Sequence, residues 1–452
     1  MVTDSVLEQV PALVPRTGNT DGTKQAGDIR ARWAWVEPSV WTTRMLTALE
    51  SGVKGGVWFS LMDKVYAPGN LHSAFERVHQ NRGSAGVDHQ TVGQYVHGLE
   101  ERLDHLHEAL RDGRYHPQAI RRTWIPKPGS TEKRPLGIPT VQDRVAQTAL
   151  RHVLEPIFER EFAEHSYGFR PGRGCKDALR RVDALLKAGY TWVVDADIKG
   201  YFDSIPHEPL MERVRRRIAD SRVLALVQAY LEQDVLDSME QWTPDEGCPQ
   251  GAVISPLLSN IYLDPLDHLM AKAGYEMVRY ADDFVLLCHS EAQAHQALEL
   301  VKRWMDEAQL TLHPTKTRVV DATQRGGFDF LGYHFERGYK RPRKKSLAKL
   351  KETIRGKTQR TNGCSFTTIV ADVNRTLRGW FEYFKHSSKG ELRALDPWIR
   401  MRLRSVLRKR LKRKGRAHGW LDHQRWPNAY FAEHGLYSLN AAHVSARQSP
   451  CG

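Results

Sequence analysis

The stretch RYADDFVLLC, residues 279 to 288, sets two adjacent aspartates, Asp282 and Asp283, between segments that read as buried strands. The apolar run FVLLC follows them, and a mixed run ending in Tyr280 and Ala281 precedes them. Any fold for this chain has to bring two strands together there and find a use for the charge. Two like charges about 4 Å apart repel by roughly 4 kcal/mol at an effective dielectric near 20. A divalent cation is one compensation. A polar hairpin tip is the other reading, since Asp favours tight turns.

A second acidic stretch, DADIKGYFDSI, spans residues 195 to 205 and places Asp197 at the end of the β-rich run YTWVVDADI. An unpaired carboxylate on an apolar strand is costly. Two carboxylates from separate strands can share hard cations, and Mg²⁺ commonly takes one or two carboxylates plus substrate phosphates. Two such ions clamp the attacking and leaving oxygens of a phosphoryl transfer. That chemistry gives the adjacent acids a purpose, with Asp282 meeting Asp197 across a metal pair.

The charge of the chain is unevenly spread. Of a net +14, residues 336–420 hold 26 Lys+Arg against 6 Asp+Glu, and the remainder is net acidic. A basic block of this density points to a polyanion, with a solvated basic helix face as the alternative. Five cysteines (175, 248, 288, 364 and 451) show no CxxC spacing, which argues against a disulfide framework and a zinc module. No apolar run has the length of a membrane span, and the N-terminus lacks signal-peptide character. The expectation is an intracellular protein with no membrane partner.

Along the chain, residues 1–30 read as a flexible leader and 31–115 as helical. RTWIPKPGSTEKRPLGIPT (122–140) reads as a hairpin around a Pro/Gly/Ser tip, and VQDRVAQTALRHVLEPIFEREF as a helix. Helices are expected from 205 to about 240, a strand–turn–strand around Asp282, and a long helix capped by Ser290. TRVVDAT and FDFLGYHF read as short strands. After residue 340 the chain is helical and basic. In LDPWIRMRLRSVLRKRLKRKG, Asp396 is expected as N-cap with Pro397 at the first helical position. Ile399, Leu403, Val406, Leu407 and Leu411 form an apolar stripe. That leaves Arg402, Arg404, Arg408, Lys409, Lys412 and Arg413 for phosphates.

Taken in order, these motifs carry a resemblance. NRGSAGVDHQTV, IPKPGSTEKRPLGIPTVQDRVAQ, SYGFRPGRGCKDAL, DADIKGYFDSI, GCPQGAVISPLLSNIYLDPLD, RYADDF, LTLHPTKTRVV and FDFLGY resemble the blocks of bacterial group II intron-encoded reverse transcriptases. NRTLRGWFEYF and the basic helix resemble the thumb, or maturase, region. The resemblance implies an α+β right-hand polymerase. Fingers and palm with antiparallel sheet would fill 31–335, a basic α-helical thumb/maturase domain 336–420, and a short DNA-binding segment 421–452. Asp197 and Asp282 resemble the metal ligands, with Asp283 in support, for two Mg²⁺ ions or Mn²⁺ in their place. Phe202 matches the ring that excludes a ribose 2′-OH, or is a palm core aromatic. Gln250 would face the incoming nucleotide and Gly251 would let backbone approach it. Lys127 and Arg134 match the fingers grip on a triphosphate, chemistry suited to point-charge and forked donors, or belong to an ordinary solvated hairpin tip. Lys316 matches a lysine proposed to protonate departing pyrophosphate, or is a surface lysine.

Arg170 and Arg173 in GFRPGR suit a template phosphate track, or are structural arginines paired with a core acid. Trp380, Phe381, Tyr383 and Phe384 at helical spacing favour packing over base stacking. The implied partners are the parent intron RNA, a DNA target and primer, and deoxynucleoside triphosphates, in a bacterial cytoplasm, as monomer or dimer. Paired cysteines of a C-terminal endonuclease are missing, so the chain is similar to the compact, endonuclease-free members such as the group IIC class. Cys248 stands where a Thr is commoner. The rival readings are a domesticated reverse transcriptase of defence or repair, a splicing-only RNA-binding factor, and an RNA-dependent RNA polymerase.

Overall fold

The computed structural model describes residues 28–126, 133–238, 240–413 and 419–448. Most of the expected leader and Lys127 lie outside these residues. No helix among them is long and apolar enough to cross a membrane.

The hairpin forms as β1 (Ile120–Pro126) and β2 (Lys133–Ile138), with Pro126 opposite Lys133. Helices α1 (Pro68–Asn81), α2 (Leu99–Asp112) and α3 (Val141–Glu159) flank it in the chain, and α1 packs against both α2 and α3. Fifteen of the 19 residues of α3 are buried, so it is the central post of this region. The helices expected up to residue 240 stop at Leu231. Two short strands follow, β4 (Val235–Asp237) and β5 (Glu240–Trp242). They extend the hairpin into a sheet ordered β2-β1-β4-β5, because β4 docks parallel to the start of β1 and the Ile120 amide donates to the Asp234 carbonyl at 2.7 Å.

The second sheet holds the acids. Its strands are β3 (Trp192–Asp197), β6 (Glu276–Tyr280), β7 (Asp283–Cys288) and β8 (Arg318–Asp321), ordered β6-β7-β3-β8 and antiparallel throughout. Alternate residues go to opposite faces. Val194, Ala196, Leu286 and Cys288 join the main core, while Val193, Val285 and Leu287 join a second cluster. With both faces covered, FVLLC is continuously apolar rather than alternating. Helix α4 (Cys175–Lys187) packs with the second cluster; α5 (Ser255–Lys272) and α6 (Glu291–Glu307) pack with the first. Ser290 caps α6, accepting from the Gln293 amide at 3.2 Å.

A third sheet, β9 (Phe328–Phe330), β10 (Tyr333–Glu336) and β11 (Tyr339–Pro342), leads out of the palm. The boundary expected between residues 335 and 336 cuts β10, and the register of β10 with β11 carries the sheet to Pro342. The helical region follows as α7 (Lys344–Lys357), α8 (Phe366–Phe384) and α9 (Lys389–Arg410). It ends with α10 (Trp420–Arg425), α11 (Asn428–Glu433) and α12 (Leu439–Gln448). These helices share one core that includes Leu350, Val373, Leu403, Val406, Phe431 and Leu439. The last segment is therefore part of the same packing unit as residues 347–411, and not a separate appendage. Phe381 and Phe384 are buried, and the Tyr383 hydroxyl donates to the Leu331 carbonyl at 2.7 Å.

Two local expectations fail here. Helix α9 begins seven residues before Asp396, so Asp396 and Pro397 lie inside it. The Asp396 carboxylate instead accepts from Ser438 Oγ (2.6 Å) and from the Leu439 and Asn440 amides (2.9 and 3.2 Å). It caps α12, a helix forty residues away. Ile399, Leu403, Val406 and Leu407 are buried as expected, but Leu411 is the C-cap and is exposed.

Candidate active site

Asp197 closes β3 and Asp283 opens β7, and the two are partners in the ladder. Directly opposed residues of an antiparallel pair share a face. Asp282 sits in the turn between β6 and β7, just after Ala281, whose φ is +59°. The three carboxylates therefore meet on one edge of the sheet, as the sequence suggested. A fourth, Asp195, was not anticipated. It stands two residues before Asp197, on the same face by strand periodicity, and the DAD spacing carries that signal. Arg318 of β8 holds it, with Nη2–Oδ2 at 3.3 Å.

The electrostatics are those of crowded anions. Burial, then the neighbouring Asp195, Asp282 and Asp197 carboxylates, push Asp283 up to about 7 against the Arg343 guanidinium. Burial pushes Asp195 up to about 6 against Arg318. Asp282 is also raised, by burial and then by Asp197, with Arg134 and Lys316 opposing. Lys316 reaches back from the loop after α6, and its Nζ lies 2.5 Å from Asp197 Oδ2. That loop is tied to the end of β3 by the His313 amide donating to the Asp197 carbonyl at 2.7 Å.

This donor set suits a hard divalent cation. Oxygen ligands converge, their repulsion favours added positive charge, and a lysine ammonium already lies against one of them. Among the described residues no three Asp, Glu, His or Cys side chains form a closed metal cage. Mg²⁺ needs none, because it completes its shell with water and substrate phosphates.

Phe202 lies on a single 3₁₀ turn, Tyr201–Asp203, after Gly200 in the left-handed region. Its ring is half-buried, 5.5 Å from Tyr201 and 6.5 Å from Phe169 between centroids. The PQG segment packs beside it, with the Cys248 amide donating to the Phe202 carbonyl at 2.6 Å. Gln250 Nε2 donates to Asp203 Oδ2 at 3.2 Å. Gly251 has φ +109°, and a Cβ there would lie 2.3 Å from the Gly137 carbonyl oxygen of β2. Its missing side chain makes room for strand β2 of the hairpin. Cys248 is fully buried, and burial holds its thiol up at about 12. Arg134 is exposed on β2 and borders a cleft with Arg343, Lys345 and Lys349 of the helical region.

The GFRPGR loop turns out to be structural at its first arginine. Arg170 is 6% exposed and forks onto the Glu159 carboxylate (2.8 to 3.1 Å), with further bonds to the Ala163 and Ser166 carbonyls. It has no surface for a template phosphate. Arg173 bonds the Glu164 carbonyl at the surface and lies 6.0 Å over the Tyr167 ring. The loop presses on the turn that holds Asp282: a Cβ at Gly168 would come within 2.2 Å of the Ala281 nitrogen. Under that turn lies Arg279, fully buried and forked onto Asp267 (Nε–Oδ1 2.8 Å). Its Nη1 donates to the Ala281 carbonyl and to Asn260 Oδ1, both at 3.0 Å. Asn260 in turn donates to the Gly168 carbonyl at 2.8 Å. Sequence reasoning missed this clamp, since an Arg beside YADD reads as an exposed charge.

The basic helix divides in two. Arg402 donates to Thr358 Oγ1 (3.1 Å) and the Thr358 carbonyl (3.0 Å). Arg404, 2% exposed, donates to the Trp426 carbonyl (2.9 Å) and Asn428 Oδ1 (3.0 Å). Arg408 Nη1 donates to both carboxylate oxygens of the buried Asp422, at 2.7 and 2.8 Å. These three bind helices together, and the phosphate-facing role fails outright at Arg404. Lys409, Lys412 and Arg413 are exposed.

Comparison with known proteins accords with this geometry. The family described as "Reverse transcriptase (RNA-dependent DNA polymerase)" matches residues 125–335, and "Group II intron, maturase-specific domain" matches 347–426. Protein YkfC of Escherichia coli (strain K12) is 32% identical over 384 residues, covering 76% of this chain and 95% of that protein. Group II intron-encoded protein LtrA of Lactococcus lactis subsp. cremoris is 37% identical over 202 residues, 44% of this chain. That match spans 33% of LtrA's own length. An uncharacterized 91 kDa protein in the cob intron of Schizosaccharomyces pombe is 30% identical over 298 residues, covering 51% of this chain and 37% of that protein.

Proposed function

The chain belongs to the group II intron-encoded reverse transcriptases with a maturase domain, and from that membership we propose that it extends a primer with deoxynucleotides on an RNA template. The observation that carries the reading is the meeting of Asp197, Asp282 and Asp283 on one sheet edge. Asp197 and Asp282, with Asp283 in support, would hold two Mg²⁺ ions, or Mn²⁺, which supply Lewis-acid charge neutralisation to phosphoryl transfer when bound. Catalysis is then chiefly positioning and electrostatics. Arg134, with Lys127, would hold the triphosphate. Phe202 would press on the sugar at C2′, and Gln250 would face the nucleotide with its amide oriented by Asp203. Lys316, whose Nζ lies against Asp197, would give a proton to departing pyrophosphate.

The second role is with RNA. The match of 347–426 to the maturase-specific family and the exposed Lys409, Lys412 and Arg413 support binding of the parent intron RNA to assist splicing. The particle would then insert at a DNA target and the protein copy the RNA there, in a bacterial cytoplasm.

Primer extension by purified protein on an RNA template with Mg²⁺ and deoxynucleotides, beside Asp282→Asn, tests the polymerase. Complementary DNA from the wild type alone is the expected result. None from a folded, RNA-binding wild type would favour the splicing-only reading. DNA from both would remove Asp282 from the site. Splicing of a flanking intron RNA, with and without protein, separates the intron role from a domesticated one.

A further inference from the structure

Phe169 breaks two ordinary preferences at once. It is 48% exposed although wholly apolar, and its φ of +57° lies in a region that bulky side chains rarely adopt. Glycine or a polar residue would fit that position better on both counts. Backbone strain at a non-glycine residue persists only where the surroundings enforce it, and such residues cluster at functional sites. The surroundings do enforce it. On one side Gly168 is wedged against Ala281 and held by Asn260. On the other, Arg170 is locked onto Glu159.

The ring this backbone presents lies edge to face with Phe202, at 6.5 Å between centroids and 77° between planes. It is also 6.3 Å from Tyr280 of the catalytic turn. Phe202 has a fixed neighbour on one side, Tyr201, whose hydroxyl donates to the buried Ser259 carbonyl at 2.6 Å. Phe169 is the aromatic neighbour on the other. Edge-to-face packing is the favoured geometry for such a pair.

We infer that Phe169 is a positioning residue for sugar selection, bracing the Phe202 ring between the core and the catalytic turn so that the ring stays where a 2′-hydroxyl would go. The inference rests on the proposed role of Phe202 as the sugar filter. Without the brace, Phe202 swings away from the sugar and ribonucleotides enter more readily. Deoxynucleotides, which need no exclusion, are used almost as before.

The test is single-nucleotide incorporation with dNTP and matching rNTP on one primer–template, for wild type, Phe169→Ala, Phe169→Tyr, Phe202→Val and the double variant Phe169→Ala/Phe202→Val. Phe169→Ala should lower the dNTP-over-rNTP ratio of kcat/KM by about three- to tenfold. The gain should come in the rNTP arm, with dNTP use within about twofold of wild type. Phe169→Tyr should keep the wild-type ratio. The double variant should discriminate no worse than Phe202→Val alone, since a brace has no effect once its target is gone. An unchanged ratio in Phe169→Ala, or equal losses with both nucleotides, overturns the inference. If Phe202→Val leaves the ratio intact, the filter assignment itself fails and this inference falls with it. Phe169→Gly, which relieves the backbone as it removes the ring, should give the same ratio as Phe169→Ala and guards against misfolding.

Discussion

The sheet end at Asp282 and the helix Lys389–Arg410 are two strongly charged places in this chain, and they treat charge oppositely. At the sheet edge, Asp195, Asp197, Asp282 and Asp283 crowd together with Arg318 and Lys316 as bonded counter-charges, and Asp283 rises to about 7. In the helix, Arg402, Arg404 and Arg408 are inside the fold, each with carbonyl, amide or carboxylate oxygens as partners. One region keeps an excess of charge available to a ligand; the other consumes much of it as internal bonding. A run of like charge in a sequence thus says little about which atoms a partner can reach.

The contrast breaks most sharply under neutralisation. Asp282→Asn should cut nucleotide incorporation by about 10³-fold or more, from the several kcal/mol that a missing metal ligand removes. Its thermal midpoint should stay level or rise, because a repulsion has been relieved. Calorimetry and primer extension on one preparation check both halves. A fall in both would mean that the acids are structural.

Arg404→Met should do the reverse. It leaves the Trp426 carbonyl and Asn428 without their donor, at a cost of about 1–3 kcal/mol. Denaturant unfolding reads this directly, while RNA affinity at fixed salt should hold for the fraction that remains folded. A variant with native stability and weakened RNA binding would return Arg404 to the interface.

Smaller, and specific to the acids, is a pH effect on the metal-free protein. Asp283 goes from 3.8 in an unperturbed chain to about 7 in the fold. Across that window the folded state holds a proton that the unfolded state has released. Stability therefore falls as pH rises from about 4 through 7, by on the order of 1–3 kcal/mol. Asp283→Asn should flatten the curve, and millimolar Mg²⁺ should do so for the wild type. A wild-type curve already flat across that range would show that the carboxylates do not repel as described.

Least in size is the exposed trio. Changing Lys409, Lys412 and Arg413 to Ala one at a time should lower the slope of log affinity against log salt by roughly 0.7–0.9 for each phosphate no longer neutralised. Stability should not move. A slope that Arg402→Ala changes as much as Lys412→Ala would erase the division drawn within the basic block.

What could be read beforehand follows the range of the interaction responsible. Strand periodicity and turn residues act locally, so the hairpin, the acid-bearing strands and the cap at Ser290 were legible. Asp197, Asp282 and Asp283 were legible too, because burying acids beside apolar strands demands a purpose. Arg279 and Arg404 were not, and Arg170 was legible only as one of two open readings, since a guanidinium on a surface and one folded onto a carbonyl look identical in one dimension. Asp396 misled for the same reason. Asp before Pro is a local cap signal, but its oxygens had nearer use at residues 438–440. At Gly251 a need for missing bulk was legible, while the close approach of the Gly137 carbonyl was not.

That carboxylate at position 396 also sets a schedule. Chains emerge from the ribosome N-terminal end first, and domains fold as units. The four strands of the acid-bearing sheet are out once residue 321 has emerged, but Asp396 meets its partners only when residues 438–440 follow. During synthesis the helical core waits with a buried-site acid still wet, and its closure comes in one late step when the final turn arrives. A nascent chain arrested before residue 438 should carry the acid-bearing strands joined to a helical region whose Asp396 still lacks these partners.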